Sequence, residues 1–265
     1  MPQVYDTCFL FGAGPFFGLP VPPQPGDLIL AADGGYRHCQ TAGLHPDLLL
    51  GDLDSLETPP QALPVQTFPA EKDDTDTMLA AKYALAQGCT TVHLYGCTGG
   101  RLDHTLANLQ TLGYLAQAGA AGYLYDETYV FTALADGHLT LPAREAGIFS
   151  LFCLGEAAKG VTIRGGQYPL DRATLSPFFP LGVSNHFPGK PGGDPSGTRL
   201  PARRLGASHR EPSPAAARIP PENNRFDRDE TAGTPATGVP AGMVLFDLHE
   251  FCREVDRQDE QPSCH

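Results

Sequence analysis

Leu48-Leu49-Leu50-Gly51-Asp52-Leu53-Asp54-Ser55 is the stretch on which the fold turns. Its three leucines read as a short buried strand. Two carboxylates one residue apart at the end of such a strand lose water and repel each other. A hard cation such as Mg²⁺ removes both costs, because it takes oxygen ligands and shares them with substrate phosphates. The competing reading is a turn in which Asp52 or Asp54 caps the next element. Asp-x-Asp alone does not decide between them; its neighbours do.

Upstream, residues 7–11 form a first apolar strand and Gly12-Ala13-Gly14-Pro15 turns out of it. A loop over 20–25 leads to a second strand at 28–31, which ends at Ala32-Asp33-Gly34-Gly35. A short helix over 36–42 is stopped by Gly43. Downstream, 65–68 is a strand and Glu71-Lys72-Asp73-Asp74-Thr75-Asp76-Thr77 precedes a helix over 78–87, with Asp or Thr to cap it and Gly88 to end it. Residues 92–95 are a strand and Gly96-Cys97-Thr98-Gly99-Gly100-Arg101 a loop. Residues 102–118 are a helix, apolar at Leu102, Leu106, Leu109, Leu112 and Leu115. Strands alternating with helices to residue 120 predict a mostly parallel sheet with helices on its faces.

Beyond residue 120 the rhythm changes. Short β-prone runs at 122–125, 128–133, 138–141, 148–152, 160–163 and 167–170 are separated by turn residues, which predicts an all-β sandwich. Residues 188–241 then hold ten prolines, one aromatic and seven of the fourteen arginines. Such a stretch buries too little apolar surface to offset its ordering entropy, so 191–241 is expected to be a disordered insertion. Residues 243–248 recover a strand pattern that completes the sandwich. The expected division is therefore 1–120, then 121–190 with 242–253, and a flexible tail over 254–265.

Composition narrows the function. The net charge of −12 argues against nonspecific nucleic-acid binding, which needs a basic surface. The seven cysteines are odd in number and none has C-x-x-C spacing, which points to neither a disulfide framework nor a zinc site and makes a reducing cytoplasm the expected setting. The apolar stretch after Cys8 lacks the charged flank of a signal peptide and the length of a membrane span.

Four polar clusters fall at the C-terminal ends of the expected parallel strands, where ligands of open α/β sheets bind. They are Asp33-Gly34-Gly35, Asp52-x-Asp54-Ser55, Asp73 to Asp76, and Gly99-Gly100-Arg101-Leu102-Asp103-His104. The glycine pairs allow close backbone approach and present N–H groups to an anion. Arg101 suits a fork on phosphate oxygens, and Lys72 either reaches phosphate or solvates its loop. Asp103 either complements the helix dipole or joins the site. His104 at a helix start reads as structural. Neither G-x-G-x-x-G nor a Walker A loop is present. Chemistry alone stops at Mg²⁺-dependent transfer or hydrolysis of a phosphate ester or nucleotide, with the metal on Asp52, Asp54 and Asp76.

The ordered set of these motifs, together with Pro46-Asp47, Asn108 and Gly182-Val183-Ser184-Asn185, resembles the thiamine pyrophosphokinase family. The likeness runs from residue 7 to about 190 and takes in the final strand. It implies an N-terminal Rossmann-like α/β domain, a C-terminal β-sandwich and a homodimer. It also implies transfer of the pyrophosphoryl group of ATP to thiamine, giving thiamine diphosphate and AMP. By this resemblance Asp52, Asp54 and Asp76 are the Mg²⁺ carboxylates, and Asp33, Arg101 and Asp103 serve the nucleotide and the reaction centre. Gly34, Gly35, Lys72, Asp73, Thr75, Gly99 and Gly100 line the ATP site. Tyr168, Ser184, Asn185 and Asn108 belong to the thiamine site, which lies between subunits. Tyr168 has a rival reading as an inward aromatic of the sandwich. The family reaches its last strand soon after Ser-Asn; here about fifty residues intervene. Rival functions are a pyrophosphokinase for a pterin alcohol, an Asp-x-Asp phosphohydrolase with an aspartyl nucleophile, and a binding module without turnover.

Overall fold

The computed structural model describes residues 4–51, 63–67, 73–141, 146–187, 198–201 and 241–247. Asp52, Asp54, Ser55 and Lys72 lie outside them, as do the tail over 254–265 and most of 191–241.

The first half alternates as its apolar runs dictate. Strands β1 (Thr7–Phe11), β2 (Leu28–Ala32), β3 (Leu48–Gly51), β4 (Val65–Thr67) and β5 (Thr91–Tyr95) are joined through helices α1 (Tyr36–Thr41), α2 (Asp76–Ala86) and other connections. Helix α3 (Leu102–Gln117) leads from β5 to β6 (Ala121–Tyr125). All pairings from β4 through β3, β2, β1 and β5 to β6 are parallel. The parallel sheet thus runs five residues past residue 120.

The second half contributes β7 (Tyr129–Ala135), β8 (His138–Leu141), β9 (Ile148–Leu154), β10 (Ala158–Ile163), β11 (Leu170–Leu175), β12 (Gly182–His186), β13 (Thr198–Pro201) and β14 (Ala241–Asp247). Four of these strands extend the first sheet by antiparallel pairing. One ten-stranded sheet results, in the order β12-β9-β14-β7-β6-β5-β1-β2-β3-β4. The hairpin β10-β11 and the pair β8-β13 form two further small sheets. Two sequence expectations change. Residues 167–169 are loop, and the strand there begins at Leu170. Thr198–Pro201, inside the expected disordered insertion, pairs with β8.

Alternation along the strands builds a core on each face. Leu10, Leu30, Val92 and Leu94 pack with Ala80, Ala84, Leu112 and Leu115 of α2 and α3. Phe9, Phe11, Leu49, Tyr95 and Tyr125 pack on the other face with Phe149, Ile163, Leu175 and the partly buried Phe16, Leu19 and Val21. Residues 16–21 thus help to cover a face that a helix would otherwise have to cover, and the Tyr95 hydroxyl donates to Val21 O at 2.7 Å. Of the five α3 leucines, Leu112 and Leu115 are buried, whereas Leu102 and Leu106 are 71% and 55% exposed. The first turns of α3 project beyond the sheet that would cover them. Among the described residues, no helix is long and apolar enough to cross a membrane.

His93 sits in the aromatic layer, stacked on Phe9 at 4.7 Å and hydrogen-bonded through Nδ1 to the Tyr125 hydroxyl at 2.8 Å. Burial pushes it down to about 4. The folded state therefore holds it neutral while the unfolded chain takes up a proton through the ordinary value near 6.5. Its contribution is complete above that value and is lost as pH falls toward 4. Urea unfolding at pH 7 and pH 5 should show the wild type losing about 2 kcal/mol more than His93→Phe; equal losses would mean that His93 is not held neutral.

Candidate active site

The carboxyl ends of β1, β2, β3 and β5 meet along one rim of the sheet. Gly12 N donates to Tyr95 O at 2.8 Å and Gly14 N to Gly96 O at 2.7 Å, so the turns after β1 and β5 are locked together. The His38 ring stacks on Phe16 at 5.1 Å and its Nε2 lies 2.7 Å from Gly14 O. A carbonyl only accepts, so Nε2 carries the proton and donates.

Asp33, Gly34 and Gly35 form a single 3-10 turn at the end of β2. Gly35 passes so close to β1 that an added Cβ would lie 1.9 Å from Phe11 O. Asp33 has φ +48°, a left-handed conformation that Asp tolerates better than most residues. A Cβ added to Gly51 would lie 3.2 Å from the Asp33 Cβ. Asp33 therefore stands against the residue that introduces Asp52-x-Asp54.

The acidic run before α2 divides its work. Asp74 takes both of its bonds from Lys82 Nζ, at 2.9 and 2.7 Å. Thr75 is the N-cap, its Oγ1 accepting from Met78 N at 3.1 Å. Asp73 is exposed, and the half-buried Asp76 opens the helix. Buried Thr77 lies beside the thiol of Cys97, which itself donates to Tyr95 O at 3.3 Å, so the first turn of α2 packs against the loop after β5. Burial pushes that thiol up to about 12, so it stays protonated in the free chain.

The loop after β5 reaches α3 through Gly99 and Gly100, both exposed and left-handed at φ +70° and +60°. Helix α3 has no side-chain cap at its N-terminus. Its dipole and its leading N–H groups suit an anion, although the His104 N–H already bonds the Asp103 carboxylate. Arg101 meets Asp103 as a fork, Nε to Oδ1 at 3.2 Å and Nη2 to Oδ2 at 2.6 Å. Hydrogen bonding from Arg101 lowers the Asp103 carboxyl to about 2. Asp103 is therefore an anion at neutral pH and a weak base. Asn108 is buried, and its Nδ2 donates to Cys97 O at 2.8 Å. The Oγ1 of Thr98, also buried, has no hydrogen-bond partner among the described residues. His38, Thr77 and Thr98 escaped the sequence reading, the first two because each acts on a neighbour distant in the chain. For Thr98 alone, its place just before Gly-Gly was a usable signal.

Tyr168, Ser184 and Asn185 gather elsewhere, at the β12 edge. Tyr168 is 58% exposed, which excludes the reading as an inward core aromatic. Ser184 is exposed and Asn185 buried. Register carries a row from Asn185 through Phe149, Phe246 and Val130 to Tyr125, whose ring stacks on Tyr95 at 4.6 Å, and Tyr95 pairs with Phe11. The two groups therefore lie at one level of the sheet. Six strand spacings separate β12 from β1, roughly 30 Å along the sheet.

Among the described residues no three His, Cys, Asp or Glu side chains gather as a complete metal site. The donors at the rim nevertheless suit a hard cation. Asp33, Asp73 and Asp76 supply oxygen only, the nearby thiol stays protonated, and the His38 nitrogen is engaged.

An open α/β sheet with an anion-receptive rim, continued into a sandwich layer with its own exposed face, is the frame of a two-substrate transferase. Two family models match it: "Thiamin pyrophosphokinase, catalytic domain" over residues 24–123 and "Thiamin pyrophosphokinase, vitamin B1 binding domain" over residues 138–192. Together they take in more than half of the chain, in order. The chain belongs to the thiamine pyrophosphokinase family. It is 28% identical over 167 residues to the thiamine pyrophosphokinase of Bacillus subtilis, covering 60% of this chain and 78% of that one. The crystal structure of the B. subtilis thiamine pyrophosphokinase superposes with a TM-score of 0.67 at 20% identity, over 91% of this chain and 98% of that one. The yeast enzyme does so at 0.60 and 12%, over 94% and 89%. These structures bear out the expected fold class.

Proposed function

We propose that this chain transfers the terminal two phosphates of ATP, as one unit, to the hydroxyl of thiamine. The thiamine oxygen bonds to the β-phosphorus, the bond from that phosphorus to the bridging oxygen of AMP breaks, and the hydroxyl proton passes to solvent. The carrying observation is that a catalytic-domain match and a vitamin B1-binding match share one sheet and present their candidate residues at one level of it. Nothing favours a pterin alcohol as acceptor.

Catalysis of this kind is mostly positioning and charge neutralisation. The exposed N–H groups of Gly99 and Gly100 and the uncapped start of α3 suit the phosphates. Arg101 is paired with Asp103 in the free chain, and phosphate oxygens offer its fork an equivalent partner. Asp33, Gly34, Gly35, Lys72, Asp73 and Thr75 complete the nucleotide side, Thr75 through its cap on α2. Asn108 acts by holding the carbonyl of Cys97. Asp52, Asp54 and Asp76 would hold Mg²⁺, which when bound supplies countercharge for the phosphates.

The separation of the two groups supports a homodimer. The acceptor face of one chain is too far from its own rim for direct transfer, so it serves the rim of a second copy. The division into a catalytic unit over 1–120 and a thiamine unit over 121–190 with 242–253 is kept as a functional one. A cytoplasmic setting accords with five free thiols among the described residues.

Purified protein given ATP, Mg²⁺ and thiamine should release AMP in proportion to thiamine diphosphate. Release of ADP or orthophosphate, or AMP without dependence on thiamine, would overturn the reading.

A further inference from the structure

The exposed face at the β12 edge rests on two buried polar side chains. Gly182 of β12 pairs with Leu151 of β9, but Asn185 pairs with Phe149, so β12 carries one residue more than its partner. That is a β-bulge, a device that re-aims side chains near functional sites. Ser184 lies within it at φ +59°, left-handed although it is not glycine. Such a conformation costs on the order of 1 kcal/mol and persists where its surroundings enforce it. The enforcing group is Ser150 of β9, only 5% exposed, whose Oγ accepts from Ser184 N at 3.0 Å. The Ser150 hydroxyl stands in for the ladder carbonyl that the bulge displaces.

Asn185 does the same for the neighbouring loop. It is 3% exposed; its Oδ1 accepts from Tyr168 N at 3.0 Å and its Nδ2 donates to Tyr168 O at 2.7 Å. This copies with a side chain the paired bonds of an antiparallel ladder. Gln167 N adds a bond to His186 O at 2.8 Å. Gly166 leaves the space, since a Cβ there would lie 3.0 Å from both Asn185 Oδ1 and Phe149 Cζ.

We propose that Ser150 and Asn185 are positioning residues for thiamine: without touching it, they fix the Ser184 hydroxyl and the Tyr168 ring as one preformed surface. The inference rests on the reading that this face takes thiamine. It also changes the part given to Asn185, whose amide is spent on the backbone of Tyr168. A site held by buried hydrogen bonds loses affinity when its support loosens by a fraction of an ångström.

Steady-state kinetics of Ser150→Ala test it. The KM for thiamine should rise about tenfold, as expected for losing the partner of a buried donor. The KM for ATP should stay unchanged, and Ser150→Thr, which restores the hydroxyl, should recover most of the loss. Asn185→Asp keeps the acceptor but sets a second carboxylate oxygen against Tyr168 O in place of the donor, and should raise the same KM. A Ser150→Ala enzyme with unchanged thiamine KM, or with both KM values raised together, overturns the inference. Tyr168→Ala separates the two levels. If it raises the thiamine KM while Ser150→Ala does not, only the positioning role falls; if neither does, the thiamine face falls with it.

Discussion

Gly35→Ala should yield no stably folded protein. The added Cβ would lie 1.9 Å from Phe11 O, 2.5 Å from Phe11 C and 3.0 Å from Gly12 O. All three are backbone atoms, so no rotamer change relieves the clash. Strand β1 and the turn after β2 would have to separate by more than an ångström. Phe11 is fully buried in the middle of the sheet, and the turn after it is bonded to the end of β5 through Gly12 N and Tyr95 O. Ordinary overpacking costs about 1–3 kcal/mol. A fixed backbone clash exceeds that and approaches the whole stability of a domain, about 5–15 kcal/mol. Soluble yield and denaturant unfolding measure it, and a variant within about 2 kcal/mol of wild type would show that β1 and β2 can yield here.

Asp76→Asn should abolish turnover while sparing the fold. The amide keeps the shape of the side chain and removes its charge. At the first turn of α2 an acidic residue is worth about 0.3–1 kcal/mol through the helix dipole. Thr75 still caps the helix through Met78 N, and Thr77 still reaches Cys97. If Asp76 holds the countercharge for the phosphates, the turnover rate should drop by about 10²-fold or more, the scale for removing one preorganised electrostatic group. The melting temperature should scarcely move. A rate within a factor of about three of wild type would remove Asp76 from the proposed Mg²⁺ set.

Much of this architecture was legible because its signals are local. The apolar runs at 7–11, 28–32 and 91–95 are strands, and α2 runs from the cap at Thr75 to the stop at Gly88. The polar clusters of the rim follow from the same local reading, since strand ends fall where the apolar runs stop. What escaped is non-local. Nothing in residues 121–125 shows that they pair with β5, and nothing in 241–247 shows that they enter the sheet between β7 and β9. The fusion of both halves into one sheet depends on those two pairings. Family resemblance places the amides of Asn108 and Asn185 in the thiamine site but gives no sign of the bonds they make within the chain. Their partners, carbonyls 11 and 17 residues away, become neighbours only in the folded chain. The first two leucines of α3 fit the helical period, yet periodicity cannot tell where a helix outruns its sheet.

The place of β14 governs when the molecule can be finished. Its neighbours β7 and β9 were both made about ninety residues or more earlier, and it bonds to both. During synthesis the parallel half can therefore assemble once β6 has been made, before any of β14 exists. Strands β9 and β12 join the sheet only when residues 241–247 slot in between β7 and β9, a step of high contact order. A chain released early, before residue 241, would carry a near-complete nucleotide half and an unattached acceptor half. The arrival of residues 241–247 is thus built into the sheet as a condition for joining the two.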